Sequence, residues 1–247
     1  MPCDAIVCDW NGTLTRDRDE RPLLESIAVD LFKASIPLHP LRMARILKAR
    51  RQLYALYTGR HQSADEDPVV QMVRIYNESV VGGMPVSLIH RATGRYAGRQ
   101  ETQSGLEHRL LRPVSTCHDT GKTTGILSSG YGYGIRSILQ AAGYSRAFDF
   151  CEANDFKERD GKAIGLDLII YRNKSSVLLG LLRDKNINEK MLVYIGDSED
   201  DAGCLEIAGH PVVAFLTPDG LKQKFAREYR AFVPRDETDL ARYLRDV

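Results

Sequence analysis

Residues 6–14, with the sequence "IVCDWNGTL", decide the fold because they join a buried strand to a reactive group at its tip. The stretch begins with a short apolar run that contains β-branched residues, and Gly12 follows it, which is typical of a strand that ends in a turn. Asp9 therefore lies at the strand's carboxyl end, where it is placed to act as a nucleophile. Two residues later stands Asn11, whose amide cannot transfer a proton as a carboxylate can.

Four further segments share these features of a buried strand, each a short apolar run bounded by turn or polar residues. They are residues 123–130, 148–154, 190–201 and 210–220. Helical patterns separate the strands, at residues 134–143, 173–187 and 239–244. Strands that alternate with helices predict an α/β fold, a doubly wound, Rossmann-like core whose parallel sheet is covered on both faces.

The middle of the chain lacks this alternation. Residues 16–112 predict helices instead, at 22–35, 40–59, 67–83 and 85–99. Because ligands bind at the carboxyl ends of strands in open α/β sheets, we expect this insert to act as a helical cap over the site. The predicted domains are an α/β core of residues 1–15 and 113–247 and a helical cap of residues 16–112.

Composition excludes several classes of partner. Lys and Arg total 34 against 33 Asp and Glu, so the net charge of +1 favours neither a nucleic-acid nor a membrane partner. No run approaches the roughly 18 apolar residues of a membrane span, and the first ten residues lack the basic region of a secretory signal. Five cysteines without a C-x-x-C pair favour the reducing cytoplasm over a disulfide framework or a zinc site. Nothing in the sequence predicts an oligomeric state.

The second predicted helix of the insert, residues 40–59, is strongly basic. It carries Arg42, Arg45, Lys48, Arg50 and Arg51, and Arg60 follows it. One interpretation is a solvated helix face. The other is that some of these arginines face an anionic substrate.

Four polar features follow the ends of separate elements. They are Asp9 with Asn11, Ser128, Lys174, and Asp197 with Asp200 and Asp201. Each alone is common, since a polar residue after a strand usually forms a turn and an acidic run often caps a helix. Their order and spacing along one chain are far more specific.

That order resembles the haloacid dehalogenase superfamily. "DWNGTL" is similar to the family's first motif, Asp-x-Asp-Gly-Thr-Leu, and "ILSSG" at 126–130 to its second. Lys174 stands where the third motif has a lysine, and "GDSEDD" at 196–201 is similar to the fourth motif. An insert between the first two motifs is the family's C1 type of cap. Residues 152–165 are similar to a hairpin of the phosphoserine-phosphatase-like branch.

The resemblance implies a role for each motif residue. Asp9 is the nucleophile that forms an aspartyl-phosphate, and Mg²⁺ binds to Asp9, Asp197 and the backbone carbonyl of Asn11. Asp201 supports the metal directly or from its outer shell. Mg²⁺ prefers such oxygen ligands, and a carboxylate can attack a phosphate only when cations neutralise the phosphoryl group.

The remaining motif residues are implied to bind phosphate. Ser128 donates its hydroxyl to a phosphoryl oxygen, assisted by the backbone N–H groups of Ser129 or Gly130. Lys174 neutralises charge beside the nucleophile. Thr13 steadies the first loop or contacts phosphate.

Asn11 is the departure from the family's pattern. The family's second aspartate protonates the leaving oxygen and later activates water, help worth roughly 10²–10⁴ in rate. Metal binding needs only the main-chain oxygen at this position, so it survives the exchange. The prediction is a Mg²⁺-dependent phosphohydrolase for a small phosphorylated metabolite, impaired or specialised by Asn11.

Asn11 leaves three other interpretations open. The chain catalyses a related reaction with another base, as in the phosphonate-hydrolysing branch, although that branch's lysine-bearing cap sequence is not found here. It binds a phosphorylated ligand without turnover. Alternatively, the asparagine is an engineered change that traps a complex. A dehalogenase is the weaker alternative, because that branch needs no Mg²⁺ and the acidic cluster at 197–201 favours a metal.

Overall fold

The computed structural model describes residues 3–36, 39–58 and 66–247. Its strands are Ala5–Cys8 (β1), Thr123–Tyr131 (β2), Phe150–Asn154 (β3), Phe156–Arg159 (β4), Lys162–Leu166 (β5), Leu192–Gly196 (β6) and His210–Val213 (β7). Arg60, one of the basic residues noted in the sequence, lies outside the described ranges.

Helices occupy much of the rest of the described chain. The α-helices are Arg21–Ser35 (α1), Pro40–Tyr57 (α2), Pro68–Tyr76 (α3), Val86–Ala97 (α4), Gln100–Ser104 (α5), His108–Asp119 (α6), Gly132–Ala141 (α7), Lys174–Asp184 (α8), Ala202–Ile207 (α9), Asp219–Glu228 (α10) and Glu237–Asp246 (α11). A π-helix follows α3 at Asn77–Val81, and short 3₁₀ turns lie at Glu189–Met191 and Glu199–Asp201. No helix within the described ranges is both long enough and apolar enough to span a membrane.

The predicted α/β fold is confirmed. Five strands form one sheet in the order β3-β2-β1-β6-β7, and every neighbouring pair is parallel. β1 and β6 are buried along their whole length, as expected of central strands covered on both faces. Cys8 pairs with Ile126 of β2 and with Ile195 of β6, so the residues that follow these three strands meet at one edge of the sheet.

The chain divides into two compact units. The first comprises residues 1–20, 97–154 and 168–247 and holds the parallel sheet. The second comprises residues 21–96 and 155–167 and holds helices together with the antiparallel hairpin of β4 and β5. The predicted domain boundaries, between residues 15 and 16 and between residues 112 and 113, stay a prediction. The two compact units begin and end at other residues.

Hydrogen bonds explain why the hairpin belongs to the helical unit. The side chain of Asn77 donates to the Leu166 carbonyl at 3.1 Å and accepts from the Leu166 N–H at 2.8 Å. The backbone N–H of Gly83 donates to the Ala163 carbonyl at 2.9 Å. Helix α6, which the sequence pattern did not predict, lies in the first unit and contains Pro113, a residue that counts against a helix interior.

The basic residues of α2 agree with a solvated face. Arg45, Lys48, Arg50 and Arg51 are exposed. Arg45 also donates to the backbone carbonyl of Glu78 at 2.6 Å, so part of its hydrogen-bonding capacity is used inside the helical unit.

Candidate active site

Asp9 follows β1 directly and is held at the edge of the sheet. Its backbone N–H donates to the carbonyl of Ile195 at 2.9 Å, which continues the pairing of β1 with β6. The residue is 6% exposed, and its Oδ1 lies 2.7 Å from the Nζ atom of Lys174. The strand thus presents a nearly buried carboxylate to a nearly buried ammonium group.

Lys174 is the first residue of α8 and bridges two carboxylates. Its Nζ lies 2.7 Å from Asp9 and 2.6 Å from Oδ1 of Asp201. Burial alone would lower the pKa of this lysine, but the two carboxylates outweigh burial and raise it. Lys174 therefore stays charged and neutralises part of the acidic cluster.

Asp201 is fully buried and surrounded by donors. Its Oδ1 accepts from Lys174 and from the Tyr194 hydroxyl at 2.7 Å, and its Oδ2 accepts from the N–H groups of Asp197 and Ser198 at 3.0 and 3.1 Å. Burial raises the pKa of this carboxyl, but Lys174 and the hydrogen bonds prevail and hold it below its usual range. With its oxygens so occupied, Asp201 is built to fix its neighbours in place.

Asp197 completes a cluster of three acids. Its Oδ1 accepts a hydrogen bond from the Thr13 hydroxyl at 3.1 Å. Oxygen atoms of Asp9, Asp197 and Asp201 all lie within 4.8 Å of one another. Burial and neighbouring negative charge raise the pKa of Asp197 to about 6 and, against the opposing effect of Lys174, that of Asp9 to about 7.

The donor set of this cluster fits Mg²⁺. Three buried carboxylates face one ammonium group, so the cluster carries excess negative charge that burial makes costly. A small hard cation with oxygen ligands would relieve that cost. The pKa values of Asp9 and Asp197 are raised for the same reason, because burial and neighbouring carboxylates disfavour their charged forms.

Gly12 gives Asp197 the room it needs. Its φ is +72°, and a Cβ atom on this residue would lie 2.3 Å from Oδ2 of Asp197. We expect Gly12→Ala to displace that carboxylate, lower the free energy of unfolding by about 1–3 kcal/mol and weaken Mg²⁺ binding about tenfold or more. Urea unfolding and a Mg²⁺ titration measure the two effects.

Gly143 offers a matched control for this substitution. It has a similar φ of +82°, but a Cβ atom there would meet nothing within 4 Å. Gly143→Ala therefore carries the backbone strain without the contact and should leave Mg²⁺ affinity unchanged. Equal Mg²⁺ affinity in the two alanine variants would contradict the role given to Gly12.

The strand predicted within residues 123–130 ends irregularly. Residues 128–130 form an irregularity within β2, which continues to Tyr131, and α7 then begins at Gly132. Ser128 is buried, and its Oγ accepts from the Gly130 N–H at 3.0 Å. We call residues 128–130 the serine loop.

Asn154 connects the serine loop to the segment that leads to Lys174. Its Nδ2 donates to the Ser129 carbonyl at 2.6 Å, and its Oδ1 accepts from the Ile170 N–H at 3.2 Å. Neither Asn154 nor Tyr194 was predicted as a site residue. Tyr194 stands in an apolar strand and carries no signal that separates it from an ordinary core residue.

Asn11 has a neighbour that the motifs did not indicate. Its Nδ2 donates to Oε1 of Glu20 at 3.2 Å. Burial raises the pKa of Glu20 to about 7, although hydrogen bonds from Asn11 and from the Tyr131 backbone oppose that rise. Glu20 ends the charged run "TRDRDE", whose composition is that of an ordinary surface loop.

The structure thus places the predicted residues in two groups, with Asn11 apart from both. Direct contacts join Asp9, Thr13, Lys174, Asp197 and Asp201. Ser128, Ser129 and Gly130 form the serine loop on the neighbouring strand, and Asn11 lies in the turn after β1. The catalytic, phosphate-binding and metal-binding roles of these residues stay predictions.

Fold and site together define a Rossmann-like α/β protein with a buried acid–lysine cluster at the carboxyl edge of its sheet. The chain belongs to the haloacid dehalogenase-like hydrolase family, whose model matches residues 6–206. The predicted superfamily is thereby confirmed.

The relatives include phosphatases. A phosphoserine phosphatase of Haemophilus influenzae is 29% identical over 115 residues, which cover 44% of this chain and 34% of that protein. The chain therefore matches only about a third of the length of this curated relative.

Solved structures show the same fold at low identity. A phosphoserine phosphatase in its apo form has a TM-score of 0.58 at 16% identity, with 98% of this chain and 99% of that chain covered. Cytosolic 5'-nucleotidase IIIB bound to cytidine has a TM-score of 0.60 at 19% identity, with 98% and 85% covered. A protein of unknown function from Bordetella pertussis Tohama I has a TM-score of 0.63 at 16% identity, with 94% and 98% covered.

Proposed function

We propose that this protein is a Mg²⁺-dependent phosphohydrolase that acts on a small phosphorylated metabolite. The observation that carries the proposal is the buried Asp9 paired with Lys174 at 2.7 Å within the three-acid cluster. The phosphatase and nucleotidase names among the related proteins support the reaction class. We include in the proposal the two predicted domains, an α/β core of residues 1–15 and 113–247 and a helical cap of residues 16–112.

Asp9 acts as the nucleophile. Lys174 contacts Oδ1, so Oδ2 is the oxygen that attacks phosphorus. A bond forms between Oδ2 and phosphorus, the bond from phosphorus to the leaving oxygen breaks, and an aspartyl-phosphate results. Water then attacks that phosphorus, the bond to Asp9 breaks, and phosphate and the free carboxylate are released.

The phosphoryl group is bound by donors from two strand ends. In the serine loop, Ser128 donates its hydroxyl, assisted by the backbone N–H groups of Ser129 or Gly130. Lys174 balances negative charge beside Asp9, and Thr13 steadies the cluster through Asp197. Such prearranged donors stabilise the charge that develops in the transition state.

Asp9, Asp197 and the main-chain carbonyl of Asn11 would hold Mg²⁺, with Asp201 behind them. When bound, the ion supplies positive charge that offsets the charge of the phosphoryl oxygens. Asp201 keeps Lys174 and the backbone of Asp197 in position through its hydrogen bonds.

Asn11 sets the choice of leaving group. Its amide can orient a water or the leaving oxygen by hydrogen bonding but cannot supply a proton. Alcohol leaving groups need that proton, whereas the carboxylate released from an acyl phosphate does not. We therefore expect acyl phosphates to be better substrates than phosphomonoesters such as phosphoserine.

Phosphate release from a panel of phosphomonoesters and acyl phosphates, with and without Mg²⁺, tests the proposal. We expect Mg²⁺-dependent release that is fastest with acyl phosphates. Inorganic phosphate that stabilises the fold without any turnover of the panel would instead indicate a non-catalytic binder. Phosphonate cleavage or Mg²⁺-independent halide release would indicate the phosphonatase or dehalogenase alternatives.

The pKa values of the cluster predict how Mg²⁺ stabilisation depends on pH. The pKa values of Asp9 and Asp197 rise from 3.8 to about 7 and about 6, so the folded state holds more protons than the unfolded state in this window. Without metal, the contribution of these two carboxyl groups to the free energy of unfolding therefore falls as pH rises from about 4 to 7. Mg²⁺ binds the deprotonated acids, so its stabilising effect grows over the same range.

Thermal unfolding measures this effect. At about a hundred times its Kd, Mg²⁺ should stabilise the protein by about 2.7 kcal/mol near pH 8 and much less near pH 5. Asp197→Asn should remove most of the Mg²⁺-dependent shift in Tm. The same shift at both pH values would argue against binding at these carboxylates.

We also propose a cytoplasmic location. None of the five cysteines, all of which lie within the described residues, forms a disulfide, as expected in a reducing compartment. A fluorescent fusion of the full chain tests this location.

A further inference from the structure

We propose that Glu20 is a positioning residue that holds and polarises the side-chain amide of Asn11. Together, Glu20 and Asn11 orient the water that attacks the aspartyl-phosphate. In the family's motif a second carboxylate activates that water. The inference rests on the proposed phosphohydrolase function and adds to it a residue from outside the four motifs.

The hydrogen bond between the two side chains fixes the direction of the amide. Oε1 of Glu20 lies 3.2 Å from Nδ2 of Asn11. Glu20 accepts this hydrogen bond, so the NH₂ group of Asn11 faces Glu20. The amide oxygen is thereby turned away from Glu20 and kept available as an acceptor.

Glu20 is itself held on its other side. The Tyr131 backbone donates a hydrogen bond to its carboxylate. A Cβ atom on Gly130 would lie 2.1 Å from Oε1 of Glu20 and 3.2 Å from Oγ of Ser128. The carboxylate therefore fills the space beside Gly130, next to the serine loop, and only glycine leaves room for it there.

These contacts give Asn11 a defined task. Consecutive hydrogen bonds polarise one another. A carboxylate that accepts from the amide N–H of Asn11 therefore makes the amide oxygen a stronger acceptor. That oxygen can accept a hydrogen bond from the water that attacks the aspartyl-phosphate and can orient it without taking its proton. Glu20 thus acts on the reaction only through Asn11.

A double-mutant cycle tests this assignment. With Asn11 present, Glu20→Ala should lower kcat about tenfold or more, and Glu20→Gln should lower it less, because glutamine keeps an acceptor but loses the charge. KM and the Kd for inorganic phosphate should stay within about threefold of wild type. Glu25→Gln, the same chemical change at an exposed residue of α1, is the matched control and should have no effect.

The Asn11→Asp background reverses the expectation. The carboxylate that this substitution introduces has no N–H to donate to Glu20, and two ionised carboxylates at this distance repel each other. Glu20→Gln should therefore leave kcat unchanged or raise it in this background. Equal losses in both backgrounds would overturn the proposal and make Glu20 a support for the Tyr131 backbone, and an effect on KM alone would overturn it in favour of substrate contact.

Deamidation of Asn11 gives a readout that needs no enzyme activity. In an Asn-Gly pair the glycine nitrogen attacks the side-chain carbonyl carbon, ammonia leaves, and water opens the resulting succinimide to Asp or isoAsp. Here the amide is held by Glu20, and the Gly12 N–H donates to the Asp17 carbonyl at 2.8 Å. Both reacting groups are therefore restrained.

Peptide mass analysis of aged samples measures the rate. Glu20→Ala should speed deamidation about fivefold or more, the factor that one hydrogen bond supplies, while Glu25→Gln should match wild type. An unchanged rate in Glu20→Ala would overturn the proposal. Absence of turnover in the wild type would count against the phosphohydrolase function alone, since the deamidation rates still decide the role of Glu20.

Discussion

Asp9→Asn is expected to lower kcat by about 10⁴-fold or more, because an amide oxygen is too weak a nucleophile to attack phosphorus. Asparagine has nearly the shape of aspartate, so packing at the end of β1 should be preserved. Lys174 keeps its second carboxylate, Asp201, at 2.6 Å. The loss should therefore concern chemistry and not folding, which circular dichroism and the Tm check independently.

Asp200→Asn is the matched control for this variant. Asp200 stands in the same acidic run as Asp197 and Asp201 but is exposed. The same exchange of carboxylate for amide should leave kcat within about threefold of wild type, as is usual for exposed positions. Turnover that persists in Asp9→Asn would remove Asp9 from the role of nucleophile, whatever the other variants show.

Asn11→Asp is expected to raise kcat on phosphomonoesters by about 10²-fold or more, the usual value of general acid–base help. The new carboxylate would lie beside Glu20, whose oxygen is 3.2 Å from the present amide nitrogen. The introduced carboxyl group can itself hold the proton that an alcohol leaving group needs, so this step does not require Glu20.

The gain should appear in kcat with little change in Mg²⁺ affinity, because the proposed metal ligand at position 11 is the main-chain oxygen. Acyl phosphates should gain only in the hydrolysis of the aspartyl-phosphate, since their leaving group needs no acid. Wild-type samples require peptide analysis in parallel, because deamidated Asn11 would contribute activity of its own. A variant no faster than wild type on any substrate would show that position 11 does not limit the reaction.

Much of the fold and of the candidate cluster could be predicted because both follow from local pattern. The buried strands at 5–8 and 192–196 are apolar along their whole length, which is the signal of a parallel sheet covered on both faces. Once the strands are parallel, the polar residues after them must meet at one edge. The resemblance to the family's motifs implied that Asp9 and Asp197 bind one metal, and oxygen atoms of the two side chains lie within 4.8 Å of each other.

Other features depend on tertiary contacts that no local pattern carries. Glu20 lies nine residues after Asn11 in a charged loop, and its importance appears only in the packing against Gly130. Tyr194 looks like a core residue until its hydroxyl is seen to donate to Asp201. Asn154 likewise is one polar residue of a hairpin region, and its link to the serine loop comes from the pairing of β2 with β3.

The most direct test of the account is the mass of the intact protein after brief exposure to acetyl phosphate and Mg²⁺. Because acetyl phosphate needs no acid to donate its phosphoryl group, while Asn11 cannot take a proton from water, the aspartyl-phosphate should accumulate. We expect the mass of one added phosphoryl group per chain, located on Asp9 by peptide analysis, absent in Asp9→Asn and short-lived in Asn11→Asp. Phosphate released without any labelling of Asp9, or a phosphoryl group on another residue, would contradict the proposed mechanism.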